Sequence, residues 1–177
     1  MSVNESLTTS PLISVVIQES VFNLAIECDR LTASLGDDQV NMGALASFTG
    51  NVRGVETNLE NTDQEDLNAY GEFRALEIEH YPAMTQLSIE SIVLKANQRW
   101  PFLGCKVIHR IGRLGVADPI VLVLVASSHR KEAFAACEYI IDYLKNAAPF
   151  WKKAIFEHAE QWVNAKASDA LALDKWA

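Results

Sequence analysis

The sequence predicts an α+β fold in which helices pack on a mixed β-sheet. Helical spacing of apolar residues alternates along the chain with short β-branched or alternating runs, in the order β-α-β-loop-β-α-β-β-α-β. These strands and helices mix without a strict βαβ repeat. A length of 177 residues is typical of one domain with a real core, so we expect a single domain over 1–177.

The first half of the chain predicts two strands around one helix. Residues 1–11 are polar, and we expect them to be frayed. Residues 12–18 are β-branched and apolar, which predicts a strand, and residues 43–53 predict another that stops at a glycine-containing turn. Ser20 is expected to cap the intervening helix, whose apolar positions are Val21, Leu24, Ala25, Cys28 and Leu31.

An acidic segment separates the two halves. Residues 54–72 contain six acidic residues and no lysine or arginine, and they are nearly devoid of apolar side chains. This composition indicates a long solvated loop. A solvating insertion is the simpler interpretation, and a lid that becomes ordered on binding is the alternative.

The second half predicts a strand over 73–81 and a helix that begins at Pro82 and ends near Trp100. Strands are expected over 104–111 and 119–126, and the second is apolar throughout, which indicates cover on both faces. The expected buried positions of the first helix are Ile89, Ile92, Val93, Ala96 and Trp100.

A further helix is predicted from about Arg130 to Asn146, and Pro149 blocks its continuation. Its expected buried side chains are Ala133, Phe134, Cys137, Ile140, Ile141 and Leu144. Residues 150–156 alternate, which predicts a strand with Lys152 and Lys153 on opposite faces. Trp162 and Trp176 indicate that the tail docks on the body of the protein.

Bulk composition excludes several classes of function. A net charge of −8 and a pI near 5.0 argue against a nucleic-acid binder. The three cysteines are far apart, which favours a reducing cytoplasm, and the four histidines share no ligand spacing, so no metal site is expected. Nucleophile elbows, dinucleotide-binding glycine motifs and phosphate-binding loops are missing from the sequence.

The remaining candidate is a basic segment at 127–153, which carries five basic and three acidic residues within an acidic chain. His129 and Arg130 at a helix N-terminus suit an anion such as phosphate. Lys145 and Lys152 lie on either side of Pro149, and a lysine beside other cations can act as a proton shuttle or nucleophile. A solvated basic rim is the alternative, and we favour that alternative for Lys131 and Lys153.

Five motifs together carry a resemblance to a known family. The sequence resembles the large, catalytic subunit of molybdopterin synthase from about Leu45 to Trp162, through FTGNVR (48–53), LEIEHYPAMT (76–85), IHRIG (108–112), SSHRKEAF (127–134) and YLKNAAPFWKK (143–153). The resemblance implies an α/β hammerhead fold. It also implies a sulfurtransferase that converts cyclic pyranopterin monophosphate into molybdopterin, for molybdenum cofactor biosynthesis, and that itself uses no cofactor.

The resemblance further implies a small ubiquitin-like partner that carries the sulfur as a thiocarboxylate on its C-terminal glycine. Two large subunits would form a homodimer and, with two partners, a heterotetramer. The family's catalytic lysines fall on Lys145 and Lys152. Its substrate-binding positions fall on Asn51, Val52, Arg53, His129, Arg130, Lys145, Lys152, Lys153 and Ala154.

The chain departs from the family pattern at a few positions. Ala154 stands where the family often has glutamate, which puts a carboxylate role there in doubt, and GVADP (115–119) replaces a PGD-type turn. The acidic segment is also longer than expected. Two other functions stay open: a non-catalytic relative that binds the ubiquitin-like partner or a phosphate ester, and a phosphate-ester hydrolase. The hydrolase ranks last because the sequence shows neither a metal site nor an evident nucleophile.

Overall fold

The computed structural model describes residues 10–54, 69–163 and 172–176. Their main elements form two four-stranded sheets with helices packed on the first. In chain order they are β1 (Leu12–Gln18), α1 (Leu24–Ser34), a 3-10 helix (Gly36–Asn41), β2 (Ala44–Asn51), β3 (Phe73–His80), α2 (Pro82–Arg99), β4 (Gly104–Arg110), β5 (Gly112–Gly115), β6 (Pro119–Ser127), α3 (Arg130–Ala147), β7 (Phe150–Phe156) and β8 (Glu160–Val163).

The first sheet has the strand order β1-β4-β6-β2, with β1 parallel to β4 and the other pairs antiparallel. Alternate residues of β6 enter two different cores. Val121, Val123 and Val125 pack with side chains of α2 and α3. Leu122, Leu124 and Ala126 pack with Leu31 of α1 and with Leu35. The prediction that this apolar strand is covered on both faces is confirmed.

The second sheet has the order β5-β3-β7-β8 and is antiparallel throughout. Its apolar face is a cluster of Val52, Leu76, Ile78 and Leu114. Phe150 packs against both this cluster and the α2/α3 core, so it joins the two sheets. The chain passes directly from β4 into β5 through Gly112, whose φ of 76° is the left-handed conformation that glycine adopts most easily.

Most predicted elements are confirmed within a residue or two. Helix α2 begins with Pro82 in its first turn, and α3 ends shortly before Pro149 as expected. Strands β5 and β8 are missing from the sequence prediction because each has only four residues, and β5 (GRLG) has glycine at both ends. Such short segments acquire their strand conformation from pairing with a neighbour, which local propensity does not reveal.

Two details of the helix predictions are wrong. Asn23, not Ser20, caps α1, since its Oδ1 accepts a hydrogen bond from the Ile26 N–H at 3.1 Å. Val21 therefore precedes the helix and is 66% exposed. Phe134 is 67% exposed on α3, because it lies just beyond the edge of the buried stripe formed by residues such as Ala133 and Cys137.

The C-terminal tryptophan docks as predicted. Trp176 packs edge-on against Trp100 and Tyr139, with ring centroids 5.3 and 5.4 Å away. Its Nε1–H donates to Asp142 Oδ2 at 2.9 Å, and its carbonyl oxygen accepts from Arg99 Nη1 at 2.6 Å. These contacts tie α2 to α3. Trp162 lies in β8, where half of its side chain is exposed.

Helix α1 buries a carboxylate rather than a complete apolar stripe. Glu27 is 5% exposed, and its two oxygens pair with Arg30 Nη1, at 2.6 Å, and with Lys106 Nζ. Burial acts to raise the pKa of Glu27, but Lys106 and then Arg30 outweigh it and leave the pKa below its ordinary value of 4.5. The ion pair between Glu27 and Lys106 anchors α1 to β4.

Replacing Glu27 with alanine is expected to lower the free energy of unfolding by about 3 kcal/mol, because Lys106 would keep a partly buried charge without this partner. Since the folded-state pKa is lowered, the contribution is complete above pH 4.5 and is lost as pH falls through the folded pKa. Urea denaturation at pH 7 and at progressively lower pH measures it. Asp29→Ala, an exposed acid on the same helix, is the control, and equal destabilisation by both variants would contradict the assignment.

Two predictions concern residues outside the described ranges. The acidic segment 54–72 falls mostly on 55–68, and the expected fraying of 1–11 falls mostly on 1–9. Among the described residues, no helix combines the length and the apolar character that crossing a membrane requires.

Candidate functional site

The two candidate lysines lie on either side of the junction between α3 and β7. Lys145 is exposed in the last turn of α3, and Lys152 is half-buried in β7. Between them the helix ends at Ala147, and Pro149 prevents its continuation. The chain then turns directly into β7, which begins at Phe150. Both amines are therefore carried by regular elements, α3 and β7, that meet next to the Phe150 ring.

Phe150 is held between two histidines. Its ring stacks on His109 of β4 with centroids 3.7 Å apart and an interplanar angle of 14°. On β3, His80 is the cross-strand partner of Phe150, and its ring lies 6.3 Å away at 25°. One contact therefore comes from each sheet, and the stack fixes the start of the strand that carries Lys152.

His109 is buried and uncharged. Burial lowers its pKa to about 3, with a further contribution from the positive charge of Lys152 and a small one from His80, while a hydrogen bond to the Arg110 carbonyl opposes the shift. Its Nδ1 lies 2.8 Å from the Arg110 carbonyl oxygen. Because a carbonyl oxygen only accepts hydrogen bonds, we assign the proton to Nδ1.

A second predicted set lies where β2 ends: Asn51 is the last residue of the strand, and Val52 and Arg53 follow it. Val52 packs in the cluster that Phe150 also contacts, so this set lies at the same end of the molecule as the two lysines, the lysine end. Val52 is buried, and its backbone pairs with the turn before β6: its N–H donates to the Asp118 carbonyl and its carbonyl accepts from the Ala117 N–H, both at 2.9 Å. Val52 belongs to the same cluster as Ile78, the cross-strand partner of Lys152. Asn51 and Arg53 are exposed.

His129 and Arg130 lie at the opposite end of α3, where His129 occupies the N-cap position and both side chains are exposed. Lys145 is fifteen positions beyond Arg130, a distance of ~22 Å along an α-helix. The β2–β6 register agrees, because Ala44 is opposite Ser127 while Asn51 is opposite Pro119. One chain therefore does not bring these two ends of the basic set to the same small ligand.

Lys153 faces away from Lys152, as the alternation predicts. Its amine lies 3.5 Å from Glu160 and 3.8 Å from Glu79, and 4.9 Å from the centre of the Trp162 ring. Ala154 is fully buried between β3 and β8. In the isolated chain Lys153 is thus engaged by acidic and aromatic neighbours, and the substrate-binding roles implied for Lys153 and Ala154 stay predictions.

The described thiols do not suit nucleophilic chemistry. Cys105 and Cys137 are buried, and burial raises the pKa of both, to about 11 for Cys137. At neutral pH they are therefore protonated and unreactive. Within residues 10–54, 69–163 and 172–176, no three histidine, cysteine or acidic side chains gather in a way that could hold a metal ion.

Comparison with known proteins shows the family of this chain. The sequence profile described as "MoaE protein" matches residues 18–147. The chain belongs to the MoaE protein family. The match takes in both candidate ends of α3, from Arg130 to Lys145, and stops just before the Phe150 junction.

MoaE relatives extend over nearly the whole chain. The protein named molybdopterin synthase catalytic subunit from Ralstonia nicotianae is 45% identical over 163 residues, which is 92% of this chain and 84% of the relative. The protein of the same name from Cereibacter sphaeroides is 41% identical over 162 residues, 92% of this chain and 99% of the relative. Matches of 162 and 163 residues in a chain of 177 are long enough to take in the β7 segment of this chain.

Solved MoaE structures confirm the predicted α+β fold class. The molybdopterin biosynthesis MoaE protein from Burkholderia ambifaria has a TM-score of 0.73 and 39% identity, covering 93% of this chain and 98% of its own. The structure titled molybdopterin synthase from Staphylococcus aureus has a TM-score of 0.66 and 30% identity, covering 85% and 96%. The resemblance to this family proposed from the sequence motifs is also confirmed.

One residue beside the candidate lysines, His109, is not among the site residues that the sequence predicts, because the four histidines share no ligand spacing. The sequence does carry a signal for it, since His109 shares the alternation of Cys105 and Val107 and is therefore the last core-facing residue of β4, one position before the strand ends at Arg110. Its stacking on Phe150, 41 positions away in the sequence, has no local signature.

Proposed function

We propose that this chain catalyses sulfur transfer from the thiocarboxylated C-terminus of a small ubiquitin-like protein to cyclic pyranopterin monophosphate, giving molybdopterin. The observation that carries the proposal is the placement of Lys145 and Lys152 on either side of the Phe150 junction, in a MoaE chain whose relatives are named catalytic subunits. Arg53 at the same end adds a third positive charge.

The two lysines differ in ways that suit different tasks. Lys145 is exposed at a helix end, where it can exchange protons with substrate and solvent, and we assign it the acid/base role. Lys152 is half-buried beside an apolar cluster, where a positive charge is less screened and attracts an anion more strongly. We assign it to hold the thiocarboxylate or the substrate phosphate.

Reconstitution tests the proposal directly. The purified chain is mixed with the thiocarboxylated partner and the cyclic precursor, and the dithiolene product is followed by chromatography. The matched control uses the same partner ending in an ordinary carboxylate, which binds but carries no sulfur. Product that forms at the same rate without this chain, or none with it, would overturn the assignment. Binding of the partner without product would favour the non-catalytic alternative.

A second copy of the chain would reunite the split basic set. His129 and Arg130 lie ~22 Å along α3 from Lys145 within one chain. In a symmetric dimer, each site can take the lysine end of one copy and the α3 N-terminus of the other. We therefore propose a homodimer, and a heterotetramer once two partners bind. Free thiols at Cys28, Cys105 and Cys137 support a reducing, cytoplasmic location.

Mixing two variants that are each impaired in a different half of the site tests this arrangement, at substrate concentrations well below the wild-type Kd, where Arg130→Ala is also slow. Lys145→Ala and Arg130→Ala proteins, unfolded and refolded together, should recover roughly a quarter of wild-type activity, because half of the dimers are mixed and each holds one intact site. Each variant refolded alone is the control. Light scattering on the wild-type chain should give the mass of a dimer at micromolar concentration. A monomer, or no recovery from a confirmed mixed dimer, would contradict the shared site.

The phosphate contacts are testable through substrate binding. Arg53→Ala and Arg130→Ala should each weaken substrate affinity by about tenfold, since a charge-assisted hydrogen bond contributes on the order of 1.5 kcal/mol. Affinity of the wild-type chain should also fall as salt rises, through screening. Isothermal titration with the cyclic precursor measures both. Arg113→Ala, an exposed arginine on β5, is the control, and unchanged affinity in the Arg53 and Arg130 variants would refute the assignment.

A further inference from the structure

We propose that His109 is a positioning residue for Lys152: its ring stacks on Phe150 and so fixes where β7 presents the lysine. This inference rests on the proposed function, because it assigns a role relative to Lys152. It adds to that function a residue from the first sheet, outside the two basic segments that form the candidate site. Three features of this junction support the role: the stack of His109 on Phe150, the hydrogen bonds that hold the adjacent Arg110, and the neutral state of the imidazole.

The stack is the direct link between the sheets at this junction. His109 lies on β4, next to Val121 of β6, while Phe150 opens β7 in the second sheet. A centroid separation of 3.7 Å at 14° is close ring-on-ring contact over most of the two faces. Lys152 is two residues beyond Phe150 on the same face of β7. A shift of the Phe150 ring would therefore displace Lys152.

The histidine cannot easily move, because the end of β4 is fixed on both sides. The next residue, Arg110, is buried and donates from Nε to the Glu19 carbonyl and from Nη1 to the Pro119 carbonyl, both at 3.0 Å. The Arg110 carbonyl in turn accepts from His109 Nδ1 at 2.8 Å. The imidazole is thus held by its own strand and offers Phe150 a rigid surface.

The neutral state of the ring also matters. Lys152 on β7 and His80 on β3 are the titratable groups that act on His109, and both disfavour an imidazolium. A neutral ring leaves the ammonium of Lys152 without a second positive charge behind it. An imidazolium there would attract an incoming thiocarboxylate, but its positive charge would also disfavour the charged form of Lys152, which must stay charged to hold an anion.

Single-turnover sulfur transfer by the reconstituted complex tests the inference. His109→Ala should slow transfer by about tenfold and weaken binding of the anion that Lys152 holds, since small misplacements of a reacting group are costly. His109→Phe keeps a flat ring against Phe150 and should stay within about threefold of wild type. Phe150→Leu, which keeps apolar volume but loses the stack, should reproduce the loss. His158→Ala, at an exposed histidine after β7, is the control.

A double-mutant cycle separates positioning from general destabilisation. In a Lys152→Arg background, His109→Ala should cause little further loss, because its effect acts through Lys152. Full additivity, or wild-type transfer in both the His109→Ala and Phe150→Leu proteins, would overturn the inference. If Lys152→Ala itself kept wild-type transfer, the role of Lys152 and this inference would fail together while the proposed function stood; no transfer by the wild-type complex would mean that the proposed function fails instead. Nitrogen-15 spectra should show neutral, Nδ1-protonated His109 from about pH 5 to 8, and a titrating imidazole would also refute the inference.

Discussion

Replacing Lys145 with alanine is expected to reduce product formation by at least about a hundredfold, the usual contribution of a positioned proton-transfer group. The fold should survive, because Lys145 is exposed and the buried stripe of α3 excludes it. Exposed substitutions of this kind change stability by about 0.5 kcal/mol at most. Thermal denaturation and single-turnover transfer, measured on the same preparation, separate the two quantities.

The matched control for Lys145→Ala is Lys95→Ala, since Lys95 is also an exposed lysine on a long helix. It lies outside the candidate site, and its variant should transfer sulfur at the wild-type rate. Lys145→Arg keeps the positive charge, but a guanidinium stays protonated in proteins and cannot exchange the proton, so this variant should bind substrate and still turn over slowly. Wild-type turnover by Lys145→Ala, with an unchanged melting curve, would remove Lys145 from the mechanism.

Removing the last two glycines of the proposed ubiquitin-like partner is expected to abolish sulfur transfer and only weaken binding. The sulfur is carried on that terminus, and a tail without side chains can enter a narrow channel toward Lys145 and Lys152. Extended tails bind largely through main-chain hydrogen bonds, so the globular body of the partner should keep part of the affinity. Titration calorimetry and the transfer assay report the two effects separately.

The control for the shortened partner is a full-length partner whose terminus is an ordinary carboxylate. It should bind this chain about as tightly as the thiocarboxylate form and transfer nothing. Complete loss of binding by the shortened partner would mean that the tail is the main anchor. Transfer by the shortened partner would show that sulfur does not arrive through the C-terminus.

The parts of the fold that could be read from the sequence are those with strong local patterns. Helices α2 and α3 each have a long apolar stripe and a proline near one end, and β6 is apolar throughout. The start of α1 was misjudged because both Ser20 and Asn23 are good capping residues, and only the observed bond from the Ile26 N–H decides between them. Strands β5 and β8 exist through pairing that no local pattern encodes.

The candidate site likewise has features that the sequence predicts and others that only the structure reveals. The basic residues around Pro149 stand out because charge clusters there in an acidic chain. The separation of His129 and Arg130 from Lys145 could also be predicted from the sequence, since the length of the predicted helix already places them far apart. The contact between His109 and Phe150 was not accessible, because it joins two sheets and depends on how they pack.

Phe150 packs against two apolar clusters, the α2/α3 core and the apolar face of the second sheet, and this limits which substitutions the protein can tolerate there. Many enzymes keep their reactive groups on loops that can vary without disturbing the scaffold. Here Phe150, which lies between the two candidate lysines along the chain, also packs between the two sheets. A substitution that widens this end for a larger substrate would loosen the junction at the same time. Packing between the sheets and placement of the candidate lysines therefore depend on one side chain. Few substitutions of Phe150 would preserve both, whether they arise in evolution or by design.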